Sequence, residues 1–189
     1  MTSTNSISRG IFGLAGLFML LGFMAPSAKR KLMADKKTST IAYAMRHPMH
    51  SWEGVSRDVT AAIVYDEESK KVETVAVIAK VASFDSQNAN RDSHAIESME
   101  GIKYPNVTFS SQQVQDDGSG KLSVMGNLTF HGVTRPMTVP ITRKINGGMT
   151  VYEGSFDLKL TDFKIEKPTL MMVPVDDEFK MKFLLAFRI

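Results

Sequence analysis

The chain has 189 residues, 43% of them hydrophobic and 23% charged, which fits one globular domain with a short extension. It contains no cysteine, so a disulfide framework, a thiol nucleophile and a lipid-modified cysteine are all excluded. Residues 1–37 hold six basic residues against one acidic residue, a charge of +5, which leaves −2 of the net +3 for the remainder. Nucleic acid requires a basic face, so we expect no nucleic-acid partner for this slightly acidic domain.

The N-terminal segment has the pattern of a secretory signal. Arg9 precedes the 14-residue apolar run 11–24, and the small residues 25–27 follow it. A helix that spans a bilayer needs about 20 apolar residues, so this run is short for a stable span. We therefore predict a signal peptide over residues 1–27 and a periplasmic or secreted protein. Retention as a short anchor is the alternative, because the basic residues 29–31 resist transfer across a membrane.

The next segment, residues 28–40, is polar and basic without an apolar period, and we expect a flexible lead-in. The folded domain should then occupy residues 41–189. In its front half, apolar residues alternate with other residues, which is the period of a β-strand. The segments with this period are 41–45, 58–66 and 72–83.

Between residues 86 and 103 the pattern changes to that of a helix. Asn88 and Asn90 are of a type that caps helix N-termini, and Ala95 and Met99 have helical spacing. Gly101 can end the helix. We predict one short helix in this segment.

The second half of the domain shows strands separated by tight turns. Apolar residues alternate over 106–110, 122–130, 134–145, 149–160 and 179–189. The reversals at 117–120, 131–132 and 146–148 are rich in residues that tolerate positive φ. These eight strands predict a mainly β fold, an up-and-down antiparallel eight-stranded barrel with one short helix. A two-sheet sandwich is the alternative.

Four motifs occur in order along this domain. They are RDSH at 91–94, YPNVTF at 104–109, GNLTFHGVTRP at 126–136 and LTDFKIEKP at 160–168. In this order and spacing the chain resembles the YceI-like family from about Ile41 to the C-terminus. The resemblance implies an exported lipocalin-like barrel that encloses an isoprenoid or another long-chain amphiphile.

A barrel of eight strands is either filled by its own side chains or holds one small ligand. The chain has 13 Met and 11 Phe, and flexible Met side chains can adapt to an irregular guest. Together with the resemblance, this predicts that the barrel binds an isoprenoid, quinone or fatty amphiphile and carries or sequesters it. The expected ligand-binding residues are Trp52, Phe84, Arg91, His94, Phe109, Phe130, Met137, Phe183 and Leu185.

Several alternatives stay open from the sequence. The barrel core can be solid, which would make the chain an interaction protein without a ligand. Arg91 and His94 either meet a polar head group at the mouth or only support the start of the helix. Transient membrane contact and a homodimer are both compatible with the sequence.

We expect neither catalysis nor a metal. No Gly-x-Ser-x-Gly elbow or glycine-rich phosphate loop occurs in the sequence, although His94 or His131 as a lone general base is a third alternative. His47 and His50 are three residues apart, but Pro48 between them disfavours a helix and no further ligand type completes the set. Apart from the lipid ligand, we expect no cofactor.

Overall fold

The computed structural model describes Met1 and residues 28–189, which form a mainly β fold with one short α-helix. The strands are β1 Lys29–Met33, β2 Thr40–His47, β3 His50–Ser56, β4 Val59–Asp66, β5 Lys71–Lys80, β6 Phe84–Asp85, β7 Asn106–Asp116, β8 Lys121–Phe130, β9 Val133–Asn146, β10 Met149–Lys159, β11 Thr169–Leu170, β12 Val173–Pro174 and β13 Glu178–Phe187. The helix α1 is Ala89–Ser98, and short 3-10 turns follow β5 and β10 at Val81–Ser83 and Thr161–Phe163. The signal peptide predicted over 1–27 lies, except for Met1, outside the described residues.

One antiparallel sheet contains eleven strands in the order β1-β4-β5-β7-β8-β9-β10-β13-β2-β3-β6, and β11 and β12 form a separate two-stranded sheet. The mainly β class with one short helix is confirmed, but the prediction of eight strands was wrong. The strands that it missed are β1, β3 and β6. A strand of two residues, such as β6, is too short to show a period. The strand β3 is interrupted by Gly54 beside the charged Glu53, which hides its period.

The strand β1 lies inside the segment that we expected to be a flexible lead-in. Its backbone pairs with β4, and its side chains are mostly exposed at the edge of the sheet. Lys29 is 2.8 Å from the Glu73 carboxylate and Arg30 is 2.7 Å from that of Glu67. Because an edge strand can leave its side chains in water, it needs no apolar alternation, and its sequence gave no strand signal.

The sheet curls so that alternate side chains of its strands meet in one interior. Val59, Ala61, Ile63 and Tyr65 of β4 are all buried, as their alternation predicts. The same holds for Leu122, Val124, Leu128 and Phe130 of β8 and for Phe179, Leu185 and Phe187 of β13. The inward and outward faces of these strands were therefore correctly predicted from period two.

Two of the predicted reversals are two-residue turns with positive φ at both positions. These are His131 with Gly132, at 49° and 71°, and Gly147 with Gly148, at 57° and 75°. Such turns match the natural twist of a hairpin and favour glycine or asparagine. They join β8 to β9 and β9 to β10, as predicted.

One end of the interior is closely packed. We call it the packed end, and it consists of Val59, Ala61, Ile63, Tyr65, Val72, Leu122, Tyr152, Leu185 and Phe187. The rings of Tyr152 and Phe187 meet edge to face with centroids 5.9 Å apart. Burial raises the pKa of Tyr152 to about 12, so its phenol stays neutral in this apolar setting.

The opposite end carries α1 and the loops after β10. A second buried cluster lies here and includes Met45, Phe130, Leu160, Phe163 and Phe179. Between the two clusters, many side chains that point inward are only half-buried, among them Val77, Phe109 and Met181. Half-burial of inward apolar residues means that they face a space rather than other atoms. Among the described residues, no helix is long and apolar enough to cross a membrane.

Candidate functional site

An apolar space of about 100 Å³ lies in the middle of the curled sheet, and we call it the inner chamber. Its wall is made by side chains from β2, β5, β6, β7, β8, β9, β10 and β13. They include Ile41, Val75, Val77, Phe84, Val107, Phe109, Ile141, Phe156, Leu158, Met181 and Phe183. A space of this size in a protein interior is large, because about 10 to 15 Å³ suffices for one water molecule.

A second space of about 60 Å³ adjoins the inner chamber and passes beneath the helix; we call it the neck. It shares Phe84, Val107, Leu158 and Met181 with the inner chamber. On its other side it is lined by Tyr43, Met45, Phe130, Phe179 and the helix-side residues Ala95 and Met99.

A third space of about 420 Å³ opens outward between α1, the β2–β3 hairpin and the segment 160–175; we call it the outer chamber. It shares Tyr43, Met45, Ala95 and Met99 with the neck, so the three spaces lie end to end. Its polar residues include His50, Arg91 and His94, whereas the inner chamber is almost wholly apolar. Together the three spaces fall in the range of roughly 300 to 1,000 Å³ that is typical of small-molecule sites.

Aromatic rings in the wall lie flat against glycines of the neighbouring strand. Tyr43 pairs with Gly54, and a Cβ placed on Gly54 would lie 2.4 Å from the Tyr43 ring. Phe183 pairs with Gly154 in the same way, and a Cβ there would lie 2.7 Å from the Phe183 ring. Only glycine permits so close an approach. These rings therefore cover the wall instead of filling the interior.

The helix that borders the neck is fixed at its N-terminus by a network of hydrogen bonds. The Asn88 side chain accepts from the Arg91 backbone N–H at 3.1 Å, which confirms Asn88 as the cap. Asp92 accepts from the backbone N–H of the buried Ser86, and Arg91 donates to the Ser86 hydroxyl and carbonyl, each at 2.8 Å. These contacts support the helix start, as one of the two open readings of Arg91 predicts.

Arg91 also faces the outer chamber. Its guanidinium lies 5.3 Å from the centre of the Trp52 ring, and both side chains line the chamber. Such a cation over an indole is attracted to the face of the ring. The arrangement therefore keeps a positive charge at the mouth of a path whose inner part is mainly apolar.

Tyr43 contributes a neutral polar group between the neck and the outer chamber. Burial raises the pKa of Tyr43, while a hydrogen bond with Trp52 lowers it less strongly. The phenol therefore stays protonated and can donate or accept a hydrogen bond.

Two of the histidines near the site, His47 and His131, are engaged in structural contacts. Nδ1 of His47 accepts from the Met49 N–H and Nε2 donates to the Val173 carbonyl, both at 3.2 Å. His131 contacts the Phe163 carbonyl at 3.0 Å and the Glu100 carboxylate at 2.8 Å. In the part of the chain that the structure describes, no three His, Cys, Asp or Glu side chains are grouped as a metal site requires.

The structure brings seven of the nine predicted residues to the three spaces. Phe84, Phe109 and Phe183 line the inner chamber, Phe84 and Phe130 line the neck, and Trp52, Arg91 and His94 line the outer chamber. Leu185 and Met137 lie elsewhere. Leu185 belongs to the packed end, and Met137 packs against the cluster around Phe130.

Other lining residues were not assigned from the sequence. Leu158 and Met181 occupy inward positions in the apolar alternation of β10 and β13. The sequence pattern could therefore have identified them as lining residues. Ile165 and Leu170 also line the outer chamber; Ile165 lies in the motif at 160–168 and Leu170 just after it, and no regular period marks them. The front-half residue Met45 is buried beside the neck at the end of a predicted strand.

The fold and these chambers can be compared with known proteins. Residues 33–187 match the family model described as the YceI-like domain. The chain belongs to the YceI-like family. This YceI-like protein is 30% identical over 169 residues to a UPF0312 protein of Yersinia pestis (strain Pestoides F), which covers 84% of this chain and 88% of that protein. A UPF0312 protein of Yersinia enterocolitica shows the same identity, with 84% and 87% covered.

Solved structures share the fold of this YceI-like protein. BcnA of Burkholderia cenocepacia is 24% identical with a TM-score of 0.71, covering 81% of this chain and 98% of its own. The Campylobacter jejuni YceI protein is 22% identical with a TM-score of 0.61, covering 70% and 82%. A polyisoprenoid-binding domain from Saccharophagus degradans is 10% identical with a TM-score of 0.62, covering 83% and 97%.

Proposed function

We propose that this protein binds an isoprenoid, or a similar amphiphile such as a quinone or fatty molecule, with its tail in the inner chamber and neck. The observation that carries the proposal is the row of three adjoining spaces, mainly apolar in the inner chamber and neck and richest in polar groups at the outer end. The related Saccharophagus degradans domain, described as polyisoprenoid-binding, supports this ligand class.

The polar end of the ligand would lie in the outer chamber. The positively charged guanidinium of Arg91 lies there, and His94 and Tyr43 offer hydrogen-bonding groups close by. A guanidinium binds phosphate or carboxylate strongly, and a neutral phenol suits a quinone or hydroxyl oxygen. A polar outer chamber joined to an apolar inner chamber fits an amphiphile better than a pure hydrocarbon.

The energetics favour a reversible carrier. Each buried CH₂ contributes about 0.8 kcal/mol, so a tail of about ten carbons in the chambers would nominally gain about 8 kcal/mol. Ordering the chain offsets part of that gain. The nominal gain of about 8 kcal/mol corresponds to a dissociation constant of about 1 μM, and the offset weakens it further, so binding of the tail alone allows release as well as capture. We therefore propose carriage or sequestration without catalysis, in the periplasm or outside the cell.

A matched pair of substitutions on β5 tests the proposal. Val77 lines the inner chamber, whereas the next residue, Ile78, is exposed on the outer face. Val77→Trp should fill the chamber with little loss of stability and remove most of the bound amphiphile. Ile78→Trp should leave ligand content unchanged.

The measurement is native mass spectrometry and organic extraction of protein recovered from its own host. Native protein and Ile78→Trp should release a long-chain molecule, and Val77→Trp should release much less. Empty extracts from all three proteins would contradict the proposal and favour an interaction protein. If Val77→Trp fails to fold, Val77→Met gives a smaller reduction of the same space and should shift the ligand toward shorter chains.

A further inference from the structure

The small β11–β12 hairpin ends in an exposed apolar turn, which we call the tip and define as residues 170–173. Thr169 pairs with Pro174 and Leu170 with Val173, so Met171 and Met172 form the turn itself. Met171 is 77% exposed and Met172 is 95% exposed. In the fold as described, their burial contributes almost nothing to stability.

Both turn residues adopt a backbone conformation that disfavours them. The φ angles are 50° for Met171 and 67° for Met172, in the left-handed region that suits glycine or asparagine. The comparable turns at 131–132 and 147–148 place glycine in three of their four positions. The tip thus keeps two long apolar side chains at a conformational cost, which points to burial against something outside the part of the chain that the structure describes.

The hairpin is held firmly at its base. His47 donates to the Val173 carbonyl at 3.2 Å, and the Val175 N–H donates to the Pro168 carbonyl at 2.9 Å. The Asp176 N–H donates to the Arg46 carbonyl at 2.9 Å. A tip fixed in this way projects from the protein in a defined direction.

The distribution of charge suits a membrane surface. Residues 168–175 contain no charged side chain, while Lys164, Glu166 and Lys167 precede them, and Asp176, paired with Arg46, and Asp177 follow. The exposed Met49 adds apolar surface on the neighbouring β2–β3 turn. An uncharged projection above a charged base matches the change from hydrocarbon to head groups. A protein partner would instead have to offer a narrow apolar pocket to this convex point.

The tip also lies at the opening of the ligand path. Thr169 and Leu170 line the outer chamber, so the first strand of the hairpin forms part of its mouth. We propose that the tip inserts into the outer hydrocarbon layer of a lipid bilayer and places this mouth at the membrane surface. The meaning of this docking for ligand transfer rests on the proposed function, but the docking itself does not.

The test measures binding of the full chain to phosphatidylcholine vesicles, with and without phosphatidylglycerol, by co-sedimentation. The double substitution Met171→Ser with Met172→Ser should weaken partitioning by about 10-fold or more, because two apolar side chains no longer enter the bilayer. Ile145→Ser is the matched control, because Ile145 is 84% exposed but lies near the end of β9 that is away from the mouth. It should change partitioning by less than about 2-fold, because Ile145 does not enter the bilayer and no apolar burial is lost. Equal loss in both variants, or unchanged binding of the double variant, would overturn the proposal.

A second double variant separates the effect on docking from the effect on folding. Met171→Asn with Met172→Gly supplies the residues that this turn prefers, so the hairpin should fold at least as well. Vesicle binding should still fall by about 10-fold, because the apolar side chains are gone. Retained binding in this variant would show that the tip is only a turn and would refute insertion.

Trp52 is the only tryptophan of the sequence and lines the outer chamber, so its fluorescence reports on the mouth alone. Vesicles with brominated acyl chains should quench its fluorescence in the native protein and much less in the double serine variant. Extraction of the same two proteins should yield equal ligand content, because the tip lies outside the inner chamber. Docking without any extracted ligand would defeat the proposed function alone, whereas ligand without docking or quenching would defeat this inference alone.

Discussion

The contact between an aromatic ring and a glycine decides whether the interior is open. Phe183 lies across Gly154 on the adjacent strand, where a Cβ would approach the ring to 2.7 Å and the Pro140 carbonyl to 2.4 Å. Tyr43 uses Gly54 in the same way. If these positions carried side chains, the rings would have to swing into the space that the chambers now occupy. The open interior thus depends on small residues that bind nothing themselves.

Gly154→Ala tests this dependence. The added methyl group should shift the Phe183 ring and the β9 backbone, and overpacking of this kind costs about 1 to 3 kcal/mol of the free energy of unfolding. Ligand content should also fall, since the displaced ring enters the inner chamber. Denaturant unfolding and lipid extraction check the two effects. Ser155→Ala, on the exposed face of the same strand, is the control, and a Gly154→Ala protein with unaltered stability and ligand would show that the ring is free to move elsewhere.

The inward and outward faces were predictable from the sequence, whereas depth along the barrel was not. Phe183 and Leu185 share one face of β13, and both were predicted to contact ligand. The structure puts Phe183 at the inner chamber and Leu185 in the packed end. Period two states only which face a residue occupies. The boundary between packed and hollow regions arises from contacts among distant strands, which no local pattern contains.

At the scale of elements, α1 borders the path without being buried. None of its ten described residues is buried, yet Ala95 lines both the neck and the outer chamber. Met99, directly after the end of the helix, lines both spaces as well. The helix is therefore held mainly by its N-terminal network and not by a deep apolar face. The turns and this helix were predictable because caps and glycine turns act locally, whereas the β1 edge strand and the tip have no local signal.

Asn88→Ala should loosen this helix. The substitution removes the acceptor for the Arg91 N–H, and loss of such a cap costs about 1 kcal/mol. Backbone amides of α1 should exchange faster with solvent, and bound amphiphile should dissociate faster through the outer chamber. Hydrogen exchange and ligand release rates measure this. Ser93→Ala, at an exposed position of the same helix, should leave both rates near their native values; equal rates in native protein and Asn88→Ala would mean that α1 does not control the path.

For the whole molecule, the regions that stabilise the fold by close packing and the region that can hold a ligand occupy different parts of one curled sheet. The packed end buries Leu185 to 5% exposure among Tyr65, Tyr152 and Phe187, as the core of an ordinary domain would. The middle of the sheet is lined largely by inward residues that remain half-buried, and the second buried cluster lies beyond it at the helix end. A carrier benefits from this division, because a fold stabilised by packed clusters on both sides can keep a hollow middle when the ligand departs.

Two leucine-to-alanine substitutions distinguish the packed end from the inner chamber. Leu185→Ala creates a cavity among close neighbours and should cost about 2 to 5 kcal/mol of the free energy of unfolding, with ligand content nearly unchanged. Leu158 already faces the inner chamber and neck. Leu158→Ala should therefore cost clearly less, because fewer atoms lose contact, and it should alter the amount or length of the bound amphiphile. Urea unfolding after lipid extraction, paired with mass spectrometry before it, checks both effects. If the two variants lost equal stability, the interior would be packed throughout its length, and the chambers would leave no room for a tail.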